Sequence, residues 1–367
     1  MSFPKKIGIL GSGQLGAMLV EAGLPLGFSF FSFSPEVNPP TQKFGAIHTC
    51  GEYTDFSKLR SFLETVEITT FEFENIPKET LEFLEEYSKS SKLAIFPNPK
   101  SIRTSQNRIL EKRFLNSTGV PTTEFYEIRS PSDLGNIPFP FPFLIKTTEM
   151  GYDGKGQYKI KSHEDLESFR NSHESFFHEA EKIIDFDFEA SVIIARFQDG
   201  SMRSFEPSKN IHKKHILDFT IHPGTFSDTL VQQMHSISKE IVTKLAYVGV
   251  MGIEFFIKDE IAYVNEIAPR PHNSGHFSQE YHFSQFHLHL FAISNLEIPD
   301  IETSKQIVMK NILGDSFDTK LKIAYSILHD ERYRLHLYQK ETPKDNRKMG
   351  HMNFLGRLEE DHILKDL

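Results

Sequence analysis

Along the first hundred residues the apolar positions alternate between two spacings. "KIGIL" (6–10) is a short apolar run, "GSGQLG" (11–16) a glycine-rich break, and apolar residues at helical spacing then continue to about Ala22. A second run, "FSFFSF" (28–33), follows, so the chain opens as strand, glycine turn, helix, strand. "VEITTFEFE" (66–74) predicts another strand, "PKETLEFLEEYSK" (77–89) a helix with Pro77 near its start, and "KLAIFPNP" (92–99) a strand closed by prolines. Strands that alternate with helices predict an α/β unit ending near residue 100.

The next segment changes character. "SIRTSQNRILEKRFLNSTGV" (101–120) predicts one helix that stops at Gly119. "PTTEFYEI" (121–128) and "FPFLIKTT" (141–148) predict strands, with the proline-rich "IPFPFPF" (137–143) as a surface connection. From about residue 175, "SFFHEAEKII", "FEASVIIARF" and "SMRSFEP" predict antiparallel strands, and a long helix follows near 227–247. "GVMGIEFFI" (249–257) and "IAYVNEIA" (261–268) then flank a tight turn at "KDE" (258–260). After a helical stretch at 283–294, "NLEIP" (295–299) reads as a linker into a small last domain. There is no internal repeat and no low-complexity tract.

A length of 367 residues exceeds one ordinary core and predicts two or three domains. The formal charge of −9 argues against a general nucleic-acid or membrane surface, so any phosphate site must be built from local basic groups and backbone N–H. No run approaches the roughly 18 apolar residues of a membrane helix. Cys50, the single cysteine, excludes an internal disulfide and a cysteine-rich zinc site, and the expected compartment is the cytoplasm. With 34 Phe and no Trp, phenylalanine is expected to fill the cores.

Against this background a few groups stand out chemically. Gly11, Gly13 and Gly16 lie between a strand and a helix, where amides and the helix dipole hold a phosphate. A dinucleotide site would also want an acid at the end of the second strand, but Ser32 and Ser34 stand there. The turn therefore favours a phosphate of some other ligand over a nicotinamide cofactor or a purely structural role. "GYDGKGQ" (151–157) reads as a flap carrying Lys155, with a plain glycine hairpin as the competing reading. Lys146, in the apolar strand just before it, tips the balance, because a buried ammonium needs an anionic partner.

Glu254 and Glu266 reach one face of their hairpin if the turn sits near residue 260. With Asn265 they form a hard oxygen set suited to Mg²⁺, and the apolar neighbours Ile253, Phe255, Ile267 and Ala268 argue against a merely solvated hairpin. Among 17 histidines no zinc-type spacing occurs, and only His272, His276 and His351 gain interest from the motifs around them. "DNRKMGH" (345–351) reads equally as a solvated basic turn or an anion site.

Taken together, "ILGSGQLGAM", "FEFENIP", "QNRILEK", "GYDGKGQ", "EASVIIARFQDG", "NEIAPRPHNSGH", "SQFHLHLFAI" and "RKMGH" resemble the ATP-grasp superfamily. Within it they resemble the 5-(carboxyamino)imidazole ribonucleotide synthase family, ATP-dependent carboxylases of purine synthesis. The likeness covers nearly the whole chain in the family's order. It implies an α/β fold of three parts: a Rossmann-like parallel-sheet domain at 1–100, a two-lobed ATP-grasp domain at 101–298 and a small C-terminal domain at 299–367.

The resemblance also implies roles. Arg108, Lys146, the flap residues Gly151, Tyr152, Asp153, Gly154, Lys155, Gly156 and Gln157, then Glu181, Lys182, Ile183, Ile184, Glu189, His212, Asn265 and Glu266 would hold ATP. Glu254 and Glu266 would bind Mg²⁺. Gly13, Gln14, Leu15, Glu74, Asn75, Tyr152, Asp153, Arg270, Arg347 and Lys348 would bind 5-aminoimidazole ribonucleotide, and Asp153, Arg270 and Lys348 would act in catalysis. Bicarbonate is the co-substrate, a homodimer the expected assembly, and a separate mutase the recipient of the product. Nucleic acid and membrane are not expected partners.

Several positions depart from the family pattern. Ser12 replaces a glycine and Ala17 an arginine, Asn107 stands in "QDR", Lys209 precedes Asn210 before His212, and His287 and Phe291 replace Glu and Arg in the last helix. These changes bear on packing around the nucleotide and on the dimer interface. None touches Lys146 or a metal carboxylate.

Overall fold

A computed structural model of the chain describes residues 5–149, 156–173, 176–297, 299–301 and 305–367. Its first sheet comprises β1 (Lys6–Leu10), β2 (Ser29–Ser34), β3 (Ile47–Cys50), β4 (Ile68–Phe71) and β5 (Ala94–Ile95), all parallel in the order β3-β2-β1-β4-β5. Helices α1 (Gln14–Gly23), α2 (Pro40–Lys43), α3 (Phe56–Leu63) and α4 (Lys78–Ser90) connect the strands. All four β4 residues are buried, as expected for a parallel strand covered on both faces. The strand order places a crevice outside the carboxyl ends of β1 and β4.

That crevice is partly filled by the protein itself. Glu72, directly after β4, accepts from Leu15 N at 3.3 Å and so occupies the N-terminus of α1. The glycines make room for this: a Cβ on Gly13 would lie 2.5 Å from Glu72 Oε1, and one on Gly11, where φ is +107, 2.6 Å from Oε2.

The second sheet is antiparallel, with β6 (Phe125–Ile128), β7 (Phe143–Thr147), β8 (Gln157–Ile160) and β9 (His178–Lys182) in the order β6-β9-β7-β8. Helix α7 (His163–Ser172) packs on it, whereas α5 (Pro99–Gln106) and α6 (Arg108–Thr118) lie toward the largest sheet, with Leu115 in that sheet's core. One sheet face packs Ile128, Phe143, Ile145, Ile160 and Ala180 on Leu166 and Phe169 of α7. The residues between them on β7 and β9, Lys146, Glu179 and Glu181, face the other way. The single helix expected over 101–120 is two: Asn107 leaves the helical conformation at φ −117, and its side chain caps α6 by accepting from Leu110 N at 3.0 Å. An Asn whose side chain can serve as an N-cap competes with helix continuation, which periodicity alone does not reveal.

Among the described residues the largest sheet has nine strands: β10 (Phe188–Arg196), β11 (Met202–Ser204), β12 (Ser208–Lys213), β13 (Ile216–His222), β14 (Gly249–Lys258), β15 (Ile261–Ala268), β16 (Ile307–Leu313), β17 (Tyr333–Leu337) and β18 (Lys348–Leu355). Their order is β15-β14-β10-β12-β13-β16-β18-β17, with β11 on β10. The last three strands therefore extend the same sheet through β13, with Phe219 opposite Lys310. Helix α8 (Asp228–Lys244) covers one face, packing Leu230, Met234, Ile241 and Val242 on Val192, Ile194, Met251 and Phe255, at about 1.5–3 kcal/mol for each large side chain buried. Helix α10 (Phe317–Ser326) lies beside β16.

Helix α9 (Gln285–Ser294) joins the parts. All ten of its residues except His287 are buried, because Leu288, Phe291 and Ala292 pack on the large sheet while Phe286, Leu290 and Ile293 pack on α1 and the first sheet. His289 fastens the seam: its Nδ1 accepts from Val250 N at 3.0 Å, and Nε2 meets Thr70 Oγ1 at 2.8 Å. Burial lowers its pKa to about 3, so the ring is neutral.

Candidate functional site

The two antiparallel sheets enclose a cavity of about 890 Å³, and its walls follow from strand alternation. Arg108, Lys146, Gln157 and Glu181 line it from the smaller sheet and α6, followed by Lys182, Ile183 and Ile184 on the segment leaving β9. Glu189, His212, Glu254, Asn265 and Glu266 line it from the large sheet. Phe186 stacks on Phe256 at 4.6 Å between centroids, giving the wall an apolar end.

Lys146 is buried, as its apolar strand required, and ion-pairs with Glu181, which also accepts from Lys112 Nζ at 3.5 Å. Burial alone would raise the Glu181 pKa, but the two ammoniums outweigh it and hold the carboxyl well below its usual range. On the opposite wall His212 Nδ1 and Glu189 Oε2 are 2.7 Å apart. Burial opposes protonation of this histidine, yet the bond to Glu189 and the nearby Glu254 and Glu266 raise its pKa.

Glu254 and Glu266 stand directly opposite each other on β14 and β15. Along most of this hairpin the register is that of Lys258 opposite Ile261, set by a two-residue turn in which Asp259 and Glu260 both have positive φ. Continued unchanged, it would put Asn265 opposite Glu254. A bulge intervenes: Phe255 faces Val264, Glu254 faces Glu266, and Asn265 is the extra residue. His272, at the N-terminal end of the following turn, brings Nε2 to 3.7 Å from Glu254 Oε1. One ligand atom from each of Glu254, Glu266 and His272 lies within 4.8 Å of the others. Burial and the charge of Glu266 push Glu254 up to about 8, a strain that a divalent cation would relieve.

A smaller cavity of about 380 Å³ opens at the crevice of the first sheet and is lined by Gly13, Gln14, Leu15, Tyr53 and Glu72. It shares Phe73, Arg270, His272, Asn273 and Lys348 with the larger cavity, so these residues form the junction. Glu74 and Asn75 line the larger one. Arg270 is already engaged: it forms a two-pronged ion pair with Glu74, with Nη2 to Oε1 at 3.1 Å. Burial would raise the Glu74 pKa, but this guanidinium lowers it.

Two expected residues stand outside the cavity walls. Arg347 lines neither cavity and donates from Nη1 to Thr342 O at 3.1 Å. Gly156, at φ +70, turns the chain beside Thr147, whose N donates to Gly156 O at 2.8 Å. Gly151, Tyr152, Asp153, Gly154 and Lys155 lie outside the described residues.

Other residues of the site escaped sequence reading. Glu179 shares the face of Glu181, a spacing of two in "HEAEK" that strand alternation makes legible. Lys112 and Glu111, adjacent on α6, are both buried, and burial together with Glu266 pushes Glu111 up to about 8. Glu72 carries no local signal, since only the parallel sheet brings it to α1. Of the departures, Ser12 Oγ meets Ser34 Oγ at 2.5 Å, Ala17 is buried, Lys209 Nζ lies 5.2 Å from the Phe188 ring centre and His287 caps α9 through Ser284.

Comparison with known proteins matches three family models in sequence order. They are the ribonucleotide synthetase preATP-grasp domain over residues 4–106, the ATP-grasp domain over 113–286 and the phosphoribosylaminoimidazole carboxylase C-terminal domain over 307–363. The bifunctional purine synthesis protein purC/E of Dictyostelium discoideum is 36% identical over 372 residues, spanning 94% of this chain; the chain accounts for 36% of that longer protein. The N5-carboxyaminoimidazole ribonucleotide synthase of Staphylococcus haemolyticus is 33% identical over 360 residues, covering 97% of this chain and 94% of the relative. Among solved structures, N5-carboxyaminoimidazole synthetase from Staphylococcus aureus complexed with ADP superposes with a TM-score of 0.90 at 32% identity, covering 100% and 96% of the two chains. N5-carboxyaminoimidazole synthase from Aspergillus clavatus, in complex with ADP and 5-aminoimidazole ribonucleotide, gives 0.87 at 29% identity, covering 96% and 94%. With the fold, the order of its parts and near-complete coverage in agreement, the chain belongs to the N5-carboxyaminoimidazole ribonucleotide synthase family of ATP-grasp ligases.

Proposed function

We propose that the chain carboxylates 5-aminoimidazole ribonucleotide with bicarbonate at the expense of ATP, giving N5-carboxyaminoimidazole ribonucleotide, ADP and phosphate. The observation that carries this reading is the junction at Arg270, His272 and Lys348, where a cleft with nucleotide-type walls opens into a second cavity beside a pair of facing carboxylates. Two compartments that meet at a cationic neck suit a reaction in which an activated anion passes from one substrate to the other.

In this reading Arg108, Lys146, Gly156, Gln157, Glu181, Lys182, Ile183, Ile184, Glu189, His212, Asn265 and Glu266, with the flap, bind ATP. Glu254 and Glu266 would hold Mg²⁺, which would supply charge neutralisation on the phosphates; the two carboxylates and their mutual repulsion fit a hard divalent ion. Bicarbonate is a poor electrophile, so its oxygen first takes the γ-phosphoryl group and ADP leaves. The substrate amine then forms a bond to the carboxyl carbon, phosphate departs and the amine loses a proton.

Lys146 neutralises the phosphates, and Arg270 and Lys348 stabilise the carboxylate-like anion at the neck. Asp153 orients the amine, and closure of the flap keeps water from the short-lived carboxyphosphate. Gly13, Gln14, Leu15, Glu74, Asn75, Tyr152, Asp153, Arg270, Arg347 and Lys348 bind the ribonucleotide, which requires Arg270 and Glu74 to loosen their pairing. Domain limits near residues 100 and 298, a homodimer, a cytoplasmic location and delivery of the product to a separate mutase complete the proposal.

The test is ADP release measured with ATP, bicarbonate and 5-aminoimidazole ribonucleotide together, and with each omitted in turn, in Mg²⁺ and then in chelator. Release requiring all three substrates and the metal is expected. Release that persists without bicarbonate overturns the reading.

A further inference from the structure

Between α6 and the smaller sheet lies a cluster of four charged side chains with almost no exposure: Lys112, Lys146, Glu179 and Glu181. Three of them are bonded to one another. Glu181 accepts from Lys112 through one oxygen and pairs with Lys146 through the other, and Lys112 also reaches Thr122 Oγ1 at 3.1 Å. Glu179 is the exception. It is 0% exposed, and neither carboxylate oxygen has a hydrogen-bond partner among the described residues. It stands directly across the ladder from Lys146, whose ammonium is held two residues away by Glu181.

The charge count gives this arrangement a meaning. Two ammoniums balance two carboxylates, so the cluster is neutral with Glu179 ionised as long as Lys146 belongs to it. Once Lys146 turns its charge to a phosphate, Lys112 faces two carboxylates with Arg108, itself assigned to the nucleotide, as the other opposing charge, and a buried group in that position takes a proton instead of staying charged. We infer that Glu179 is a proton-linked positioning residue of the nucleotide site, taking up one proton from solvent as Lys146 commits its charge to a nucleotide phosphate. This rests on the reading of Lys146 as a nucleotide ligand.

The surroundings agree. Burial and Glu181 push Glu179 up to about 7, against Lys112, Lys146 and Arg108, so loss of one opposing ammonium moves it further in the same direction. On its other side Glu127 of β6 is opposite Glu179 but is neutralised by Arg113 and Arg129.

The experiment is calorimetric titration of the full chain with ADP and Mg²⁺ at about pH 8, in two buffers of different ionisation enthalpy, for the native protein and Glu179→Gln. Metal binding at Glu254 releases protons from both proteins alike, so the native protein is expected to take up close to one proton per ADP more than the variant. Native affinity relative to that of the variant is expected to be level below about pH 7 and to weaken toward tenfold per pH unit above it, because there the free protein has lost the proton that the complex keeps. Equal net uptake in Glu179→Gln overturns the inference. If Glu179→Gln does not fold, native titration with ADP in chelator decides, and binding there without proton uptake overturns it. A native chain that binds no ADP removes the nucleotide reading itself and this inference with it.

Discussion

Glu254 faces Glu266 across β14 and β15 because Asn265 is bulged out of the ladder between them. A side-chain period of two means that an unbulged hairpin would turn Glu266 to the opposite sheet face. The facing pair has opposite consequences for folding and for chemistry, since two half-buried carboxylates repel each other yet together form a candidate cation site. Glu254→Gln is therefore expected to lower ADP formation by about two to three orders of magnitude while leaving the metal-free protein as stable as before or more so. Steady-state ADP release and urea denaturation in chelator measure the two effects. A parallel loss of stability and activity would contradict the assignment.

Gly252 tests the geometry beside this pair. A Cβ there would meet His272 Cβ at 2.5 Å and Cγ at 2.8 Å, so Gly252→Ala must displace the imidazole from Glu254. A stability loss of about 1–3 kcal/mol is expected, together with a drop in turnover larger than that loss explains. Turnover equal to that of the native protein, at temperatures where the variant is folded, would show that the position of His272 does not matter.

Lys146→Met leaves Glu181 with Lys112 as its one ion-pair partner among the described residues. Breaking a buried pair costs about 3–5 kcal/mol, and the remaining ammonium places the expected loss near 3 kcal/mol. ADP affinity is expected to fall about tenfold to a hundredfold, by loss of a charged phosphate contact. Calorimetry on the folded variant separates this from instability, and unchanged affinity would remove Lys146 from the nucleotide site.

His289 sets an acid limit. Its folded pKa is depressed to about 3, whereas the unfolded ring takes up a proton near its ordinary value of about 6.5. The unfolded state thus binds more protons between these values, so the stabilisation is complete above about pH 6.5 and falls as pH drops below it, by up to roughly tenfold in the folding equilibrium per pH unit. His289→Gln, which can still accept from Val250 N and donate to Thr70 Oγ1, is expected to flatten this segment of the stability curve. Chemical denaturation from about pH 7 to pH 5 checks it, and an unchanged slope would assign the acid sensitivity elsewhere.

Local pattern was enough for much of this molecule. The strand–glycine–helix opening, the hairpin around Asp259 and Glu260, the stop at Gly119 and the burial of Lys146 each depend on a few consecutive residues, and each is present in the structure. The hairpin of β12 and β13 was not legible, because its turn residues Lys214 and His215 adopt positive φ without the Asn or Gly that usually announces it.

What the tertiary structure alone decided depends on groups far apart in the chain. Glu72 reaches α1 only because β1 and β4 pair in parallel, and Lys112 joins Lys146 and Glu179 only because the fold brings α6 within reach of Glu181 on β9. The bulge at Asn265 belongs to the same class, since periodicity is blind to one extra residue in one strand. The sequence by itself proposed Lys146, Glu254 and Glu266, because each side chain's chemistry is intrinsic, and the family resemblance proposed the other candidates. Their facing pairs, shared charges and joined cavities were set by long-range packing, because distances and burial between remote residues exist only in the folded chain.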